Sequence, residues 1–474
     1  MFEKLIEKGI RITTDAKELL EKQTNSEELI DELCKKDKMF IQKEDIEELL
    51  KKEVKIQVAR TTDFNPIAKE FERNIEVIEK RDVTGKSRTT GEVKDFVAHF
   101  RDRYSKIAKI LHQLRTEYHT IDLSEVKKRI GEKARVIVIV NEKRDTKKGN
   151  MLLEIEDLTS NFKAVITTYD PKLFEKARNI INDDVIAISG KISEAFIIAE
   201  DIEWPDIPVV REKKLSENDL AIAYISDIHF GSRYFMEKYL NMFVDWLHGR
   251  GEVKELAEKV KYVIVGGDLV DGIGIYPNQE KELVVTDINK QYEMFNDFAQ
   301  NLPEYIEAII IPGNHDAVRR GEPMPAIGKD LITADVLNLG NPSTLKIEGI
   351  KHLLYHGTSL DSMIASIPNM SYMHPEKVMT EYLKRRHLSP IYGGNLIIPE
   401  KVDYMVIEEV PDVLHCGHVH KNGYKLYRET LIINSGTFQD QTEFQIKQGH
   451  VPTPGVVPIY ELKTGRLRSL DFKI

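Results

Sequence analysis

Five short segments, each closing an apolar run, constrain this chain more than anything else in it. They are SDIHFG with Asp227 and His229, GGDLVDG with Asp268, PGNHD with Asn314, His315 and Asp316, YHG with His356, and CGHVHK with His418 and His420. The runs LAIAYIS, KYVIVGG, AIIIPG, HLLYHG and DVLHCG read as buried strands, in a repeating succession of strand, loop and helix. Such a succession folds as a layered α/β domain whose ligand site collects at the carboxyl ends of the strands. Glycines at 231, 266, 267, 313, 357 and 417 stand beside the motifs, where the backbone must turn sharply and ligands must approach.

Alone, an Asp-X-His or a His-X-His is more often a satisfied loop residue than a ligand. Together, five histidines, several carboxylates and one amide at the same end of successive strands point to a pair of divalent cations. Hydrolysis of a phosphodiester needs a nucleophile at neutral pH and neutralisation of the charge that grows on phosphate, and two ions ~3.5–4 Å apart supply both. Asp268, mid-constellation on its own strand end, is the natural bridging carboxylate. A mixed imidazole and carboxylate set suits Mn²⁺, Fe²⁺ or Zn²⁺ better than Mg²⁺. Asn314 offers a neutral amide oxygen, which leaves its ion a strong Lewis acid. Residues i and i+2 of an extended segment point the same way, so Asp227 and His229 can share one ion. His418 and His420, at the same spacing, can serve one ion each. His315 follows Asn314 and points elsewhere, near the metals but not on them. There it can stabilise phosphorane-like charge or protonate the leaving oxygen. Asp316 either fixes the tautomer of His315 or caps a helix. Cys416 either ligates or packs at its strand end, burial being the commoner fate.

Upstream the pattern changes. Residues 1–52 read as a small helical interaction unit, with Asp15 capping DAKELLEK and Ser26 opening SEELIDELCKK. Residues 53–120 read as a linker with helical segments: DVTGKSRTTGEVKD is polar and flexible, and FVAHFRDRYSKIAKILHQLRTE is an amphipathic helix with a basic face. Between 121 and 205 come three strand-like runs, the helical PKLFEKARNIIN and two further strands, the element order of an OB-fold barrel. The first hairpin loop, EKRDTKKGN, holds Lys143, Arg144, Lys147 and Lys148, where OB-folds contact nucleic acid. A polar hairpin tip on a structural or partner-docking barrel is the alternative. WPDIPVVREKKLSEND reads as the linker to the domain at 216–474, and Trp204 and Trp246 as core or boundary residues.

Composition sets limits. The net charge of -10 argues against a free-standing, non-specific DNA binder, so contact with nucleic acid must be local, metal-bridged or shared with a partner. Two cysteines far apart, Cys34 and Cys416, exclude a disulfide framework and fit a reducing compartment. With no secretory apolar segment and no run approaching ~20 apolar residues, a cytoplasmic protein with no membrane partner is expected.

In order, spacing and type, the five motifs resemble those of the calcineurin-like metallophosphoesterase superfamily, which alone does not set a substrate. RRHLSPIYGGN, VPDVLHCGHVHKNGY, INSGTFQDQTEFQ and VPTPGVVPIY are not needed for metal binding. With the barrel and the helical N-terminus, they resemble the small subunits of archaeal family D DNA polymerases. The resemblance implies an N-terminal helical domain, a β-barrel OB-fold and a C-terminal four-layer αββα phosphoesterase domain. It implies a proofreading 3'→5' exonuclease on single-stranded DNA ends that uses two divalent ions, Mn²⁺ ahead of Mg²⁺. It also implies a heterodimer with a large subunit that carries out synthesis. One ion would take Asp227, His229, Asp268 and His420, the other Asp268, Asn314, His356 and His418, with His315 catalytic. The helical N-terminus would meet the large subunit, a sliding clamp or another partner. Two other readings stand beside this one: a mainly structural subunit whose phosphoesterase domain serves for docking, and a small-molecule or protein phosphatase, against which the barrel argues. The non-catalytic B-subunits of eukaryotic replicative polymerases share the layout but have lost ligands; here every expected ligand is present, so an active nuclease is expected.

Overall fold

A computed structural model describes residues 64–473 and, nearer the amino terminus, Arg11–Thr13, Ala16, Lys17, Ile30, Leu33, Phe40, Ile41 and Lys43. Residues Met1–Arg60 form a unit of their own. In it Arg11–Ile12 pairs in parallel with Phe40–Ile41, and Ala16, Ile30 and Leu33 are buried. The expected caps Asp15 and Ser26, and most of the expected helical unit, lie outside the described residues.

From residue 64 the chain passes through strand β1 (Ile75–Val77) and helix α1 (Val93–His112). Strands β2 (Lys133–Asp145), β3 (Met151–Glu156) and β4 (Asn161–Ile166), helix α2 (Pro171–Arg178), and strands β5 (Val185–Ile192) and β6 (Ile197–Glu203) follow. These five strands close into a barrel in the order β2-β3-β4-β6-β5. Its interior is filled by side chains such as Val136, Val138, Leu153, Ile155, Ala164 and Ile186. Asp170 caps α2 through the N–H groups of Lys172 and Leu173, with Pro171 in the first turn.

The rest of the chain builds two facing six-stranded sheets. Their strands are β7 (Ala221–Ile225), β8 (Val260–Val265), β9 (Glu307–Ile310), β10 (Leu337–Asn338), β11 (Ser343–Ile347) and β12 (Ile350–Leu354). After them come β13 (Val413–Cys416), β14 (Asn422–Tyr427), β15 (Thr430–Ser435), β16 (Val456–Glu461) and β17 (Arg466–Asp471). The first sheet runs β10-β9-β8-β7-β16-β17 and the second β14-β15-β13-β12-β11-β1. Alternation along each strand explains the layers. Ile222 and Tyr224 of β7, Ile264 of β8 and Ile309 of β9 face the second sheet, whose Ile350, Leu354, Val413 and Ile433 meet them. Ala223, Ile225, Val263, Val265 and Ile310 face outward, under helices α3 (Glu237–Leu247) and α4 (Ile288–Gln300). Leu353, Leu414 and Ile432 do the same beneath α5 (Leu360–Ser366) and α6 (Pro375–Arg385). Strands covered on both faces lose polar alternation, which is why they stood out as continuous apolar runs.

His352 lies buried between the sheets. Its Nδ1 is 2.9 Å from Ile350 O and its Nε2 2.9 Å from the Tyr224 hydroxyl. A carbonyl accepts only, so Nδ1 carries the proton and Nε2 accepts from tyrosine. Burial pushes this ring down to about 4. A depressed folded-state value means the stabilisation is full above the unfolded value of ~6.5 and is lost as pH falls toward 4. His352→Gln cannot titrate. The parent should therefore lose about 3 kcal/mol relative to this variant between pH 7 and pH 4. Parallel denaturant curves at several pH values would disprove this if the gap stayed constant.

The stretch expected to be a flexible linker is strapped down instead. Asp82 accepts hydrogen bonds from Thr84 N (2.7 Å), Gly340 N (2.9 Å) and the Ser343 hydroxyl (3.3 Å). The edge strand β1 extends the second sheet by pairing with β11. Most of the stretch is exposed, but its buried carboxylate Asp82 is spent on side-chain bonds to the backbone. Helix α1 also differs from a solvated basic helix. Its buried stripe includes Asp95, His99, Arg103, Ile107 and Leu111, an i, i+4 row. Ile107 and Leu111 join Ile137, Val185 and Ala187 of the barrel and Val406 of the carboxy-terminal domain. Trp246 is core, and Trp204 sits at the barrel's edge with its indole N–H on Asp184 (3.1 Å). Cys416 is buried among the apolar residues of the second sheet.

Candidate metal centre

The loops that follow β7, β8, β9, β12 and β13 converge. His229 Nε2 lies 3.1 Å from His420 Nε2, and His420 Nε2 lies 3.3 Å from Asp227 Oδ1. Beside this trio, His356 Nε2 is 3.3 Å from Asp268 Oδ2 and 3.0 Å from Asn314 Oδ1, and His418 Nδ1 is 3.0 Å from the same amide oxygen. Asp268 Oδ2 is also 3.8 Å from His229 Nε2, so it stands between the two groups. All seven residues expected as ligands thus meet. Asp227, His229 and His420 form one buried group that could hold a metal ion, and Asp227, Asp268 and His356 another.

The backbone is bent to achieve this. Asp227, His229, Asp268, His418 and His420 all have positive φ, between 51° and 72°. Five such non-glycine residues in one place are a store of strain typical of functional sites. Gly267, at φ +96°, admits the centre closely: a Cβ there would stand 2.6 Å from His356 Nδ1. A Cβ on Gly313 would collide with Asp268 Oδ1.

The charge balance favours cations. Burial alone would raise the Asp268 carboxyl, but the imidazoles of His356, His315 and His229 hold it well below the usual range. Burial works against a charged His356, yet the Asp268 carboxylate overrides it and pushes that ring up to about 10. A pocket that favours imidazolium by carboxylate charge favours a metal cation by the same charge, and ion binding must then displace the proton. Facing imidazole nitrogens with shared carboxylates are a donor set that fits divalent transition ions.

Further residues, not singled out from sequence, hold the set in place. The Asp271 carboxylate lies 2.9 Å from His229 Nδ1, and Gln439 and Gln279 donate to it at 3.0 and 3.2 Å. Asp361 lies 3.0 Å from His418 Nε2, and Gln445 Nε2 2.9 Å from His420 Nδ1. The Thr437 hydroxyl donates to Asp227 O at 2.7 Å. The segment INSGTFQDQTEFQ, read as irrelevant to metal binding, therefore brings three residues against the centre. Its amides were a signal: buried glutamines need partners. Asp316 has neither expected role. It accepts from Gly313 N (2.8 Å), Leu269 N (3.3 Å) and the Tyr292 hydroxyl (3.1 Å), tying the β8 and β9 loops together. Burial, reinforced by Asp268, pushes it up to about 7. His315 is oriented instead by the carbonyl of Asp271, 2.7 Å from its Nδ1.

None of the basic residues of the barrel loop lines the cavity at this centre. Lys143 is half-buried and caps α2, its ammonium donating to Arg178 O (2.8 Å) and to Ile180 O, so it does not project from the hairpin. Arg144 pairs with Glu154 at 3.3 Å, and Lys147 and Lys148 are exposed at the tip.

Facing sheets between helical layers, with a histidine–carboxylate centre at the strand ends, define the class: residues 220–422 match the family model for calcineurin-like phosphoesterases. Similarity to whole proteins goes further. The chain is 40% identical to the DNA polymerase II small subunit of Archaeoglobus fulgidus, over 96% of this chain and 94% of that one. It is 39% identical to the subunit of that name from Methanothermobacter thermautotrophicus, over 86% and 85% of the two chains. The chain belongs to the family of archaeal DNA polymerase II small subunits. Among the described residues no helix is long and apolar enough to cross a membrane.

Proposed function

We propose that this chain is the nuclease subunit of its polymerase, a 3'→5' exonuclease that removes nucleotides from single-stranded DNA ends beside a large synthetic subunit. The observation that carries this reading is the position of Asp268 between two groups of buried imidazole donors. One ion, Mn²⁺ or Mg²⁺, would be held by Asp227, His229, Asp268 and His420, and a second by Asp268, Asn314, His356 and His418. When bound, such a pair acts as a Lewis acid on phosphate and lowers the pKa of water. The protein's own part is positional. His315 N donates to Asp268 Oδ1 at 2.8 Å, so the catalytic ring is registered on the bridging carboxylate. Because Nδ1–H is committed to Asp271 O, only Nε2 can exchange a proton with substrate. Burial lowers the His315 pKa, which makes its charged form a ready donor to the leaving 3'-oxygen. We read the barrel as an OB-fold, whose exposed Arg144, Lys147 and Lys148 would add weak contact to the strand.

Purified chain, alone and with its large subunit, should shorten a 5'-labelled oligonucleotide from its 3' end in Mn²⁺. His315→Ala should lose about 10²–10⁴-fold in rate while keeping its ions. Cleavage of p-nitrophenyl phosphate with no oligonucleotide shortening would sink the reading in favour of a phosphatase. For Asp271→Asn, we expect a 10–100-fold weaker affinity for Mn²⁺ by calorimetry, because the carboxylate that orients His229 is lost. Affinity within twofold of the parent would remove Asp271 from the centre.

A further inference from the structure

The centre opens into a cavity of about 480 Å³, the size class of a single small ligand. Its floor is the imidazole and carboxylate set, but one wall is aromatic. Tyr372, in the loop between α5 and α6, and His450, just after helix α7 (Glu443–Gln448), pack against each other in a tilted pair with ring centroids 3.7 Å apart and an interplanar angle of 37°. Both are half-buried and line the cavity. Nothing in the hydrolytic chemistry requires them. Tyr372 is also coupled to the floor: its phenol interacts with Asp361, whose carboxylate lies 3.0 Å from His418 Nε2. A group resting on this wall is therefore held in fixed register with the centre.

We propose that Tyr372 and His450 form a stacking platform for the 3'-terminal base, and that this platform selects an unpaired end. This deepens the nuclease reading and rests on it. A planar base has a π-face whatever its identity, so stacking holds a terminal nucleotide without reading sequence, as removal of any terminal nucleotide requires. Ile275 and Val419, which also line the cavity, are apolar. A base stacked on this wall would have left its partner, so paired ends would be disfavoured by the energy of unstacking and unpairing.

The test uses the full chain and a single-stranded oligonucleotide ending in 3'-2-aminopurine, with Ca²⁺ to slow cleavage. The parent should quench the probe on binding, and an oligonucleotide with the probe at its 5' end should be unaffected. Tyr372→Ala and His450→Ala should each lose at least half of the quenching and bind about five- to 150-fold more weakly. Tyr372→Phe keeps the ring and should keep the quenching, which separates stacking from loss of the hydroxyl. Parent-like quenching in Tyr372→Ala, or none in the parent, overturns the platform. Cleavage of a 5'-labelled oligonucleotide in Mn²⁺ is scored in parallel. A parent that binds and quenches but never shortens it defeats the nuclease reading and leaves the platform standing.

Discussion

Asp268→Ala should abolish phosphodiester cleavage, by about three orders of magnitude or more, in a chain that still folds. Three contacts end together. Oδ2 is the carboxylate oxygen nearest His356 Nε2, at 3.3 Å, and it also looks toward His229 at 3.8 Å. Oδ1 accepts the backbone N–H of His315 at 2.8 Å. Alanine removes the carboxylate that faces both His356 and His229, the counter-charge of His356 and the anchor of the His315 backbone. Asp268→Asn separates charge from shape. It can still accept from His315 N, and asparagine tolerates the φ of 51° at this position. The same loss of activity in both variants, with two ions fewer per chain by metal analysis and unfolding temperatures near those of the ion-free parent, is the expected result. Oligonucleotide digestion at the parental rate by either variant would show that the bridge lies elsewhere.

Asp403→Ala should be the most destabilising single change, costing about 3–5 kcal/mol. This carboxylate is fully buried and gathers partners from distant parts of the chain. Arg103 Nε of α1 lies 2.7 Å away, His387 Nε2 2.9 Å and His99 Nε2 3.3 Å. Arg103 also donates to Pro390 O at 2.9 Å. Arginine cannot shed its proton, so alanine at 403 leaves a guanidinium buried without its counter-ion. The double variant Arg103→Met/Asp403→Leu, apolar on both sides, should regain much of the loss. Denaturant unfolding decides: a cost below about 1 kcal/mol would mean that water replaces the carboxylate and that α1 is not held by this pair.

The motif RRHLSPIYGGN acquires a physical meaning here. His387 meets Asp403, and Arg385 joins Asp184 of the barrel region at 2.8 Å, so the segment ties three parts of the protein together. From the sequence it signalled only family resemblance, because the partners of an arginine are not encoded near it. The same holds for Asp271 and Asp361. Each was visible as a carboxylate beside a motif, and neither could be assigned to His229 or His418 without the loops in place. Asp316 shows the converse error. Adjacency to His315 suggested a partnership, but successive residues of a tight loop point apart, and its carboxylate turned to backbone N–H groups instead.

What the sequence determined by itself was periodic or local. Continuous apolar runs marked five strands of the two sheets, β-rich runs the barrel, and glycine-flanked polar motifs the strand ends where the cluster gathers. Backbone hydrogen bonding and burial repeat along the chain, so their imprint is legible there. Only the tertiary structure decided which carboxylate orients which imidazole, that a polar segment is strapped rather than free, and that Tyr372 meets His450. Those outcomes depend on contacts between elements far apart in the chain, where no local period constrains the choice of partner.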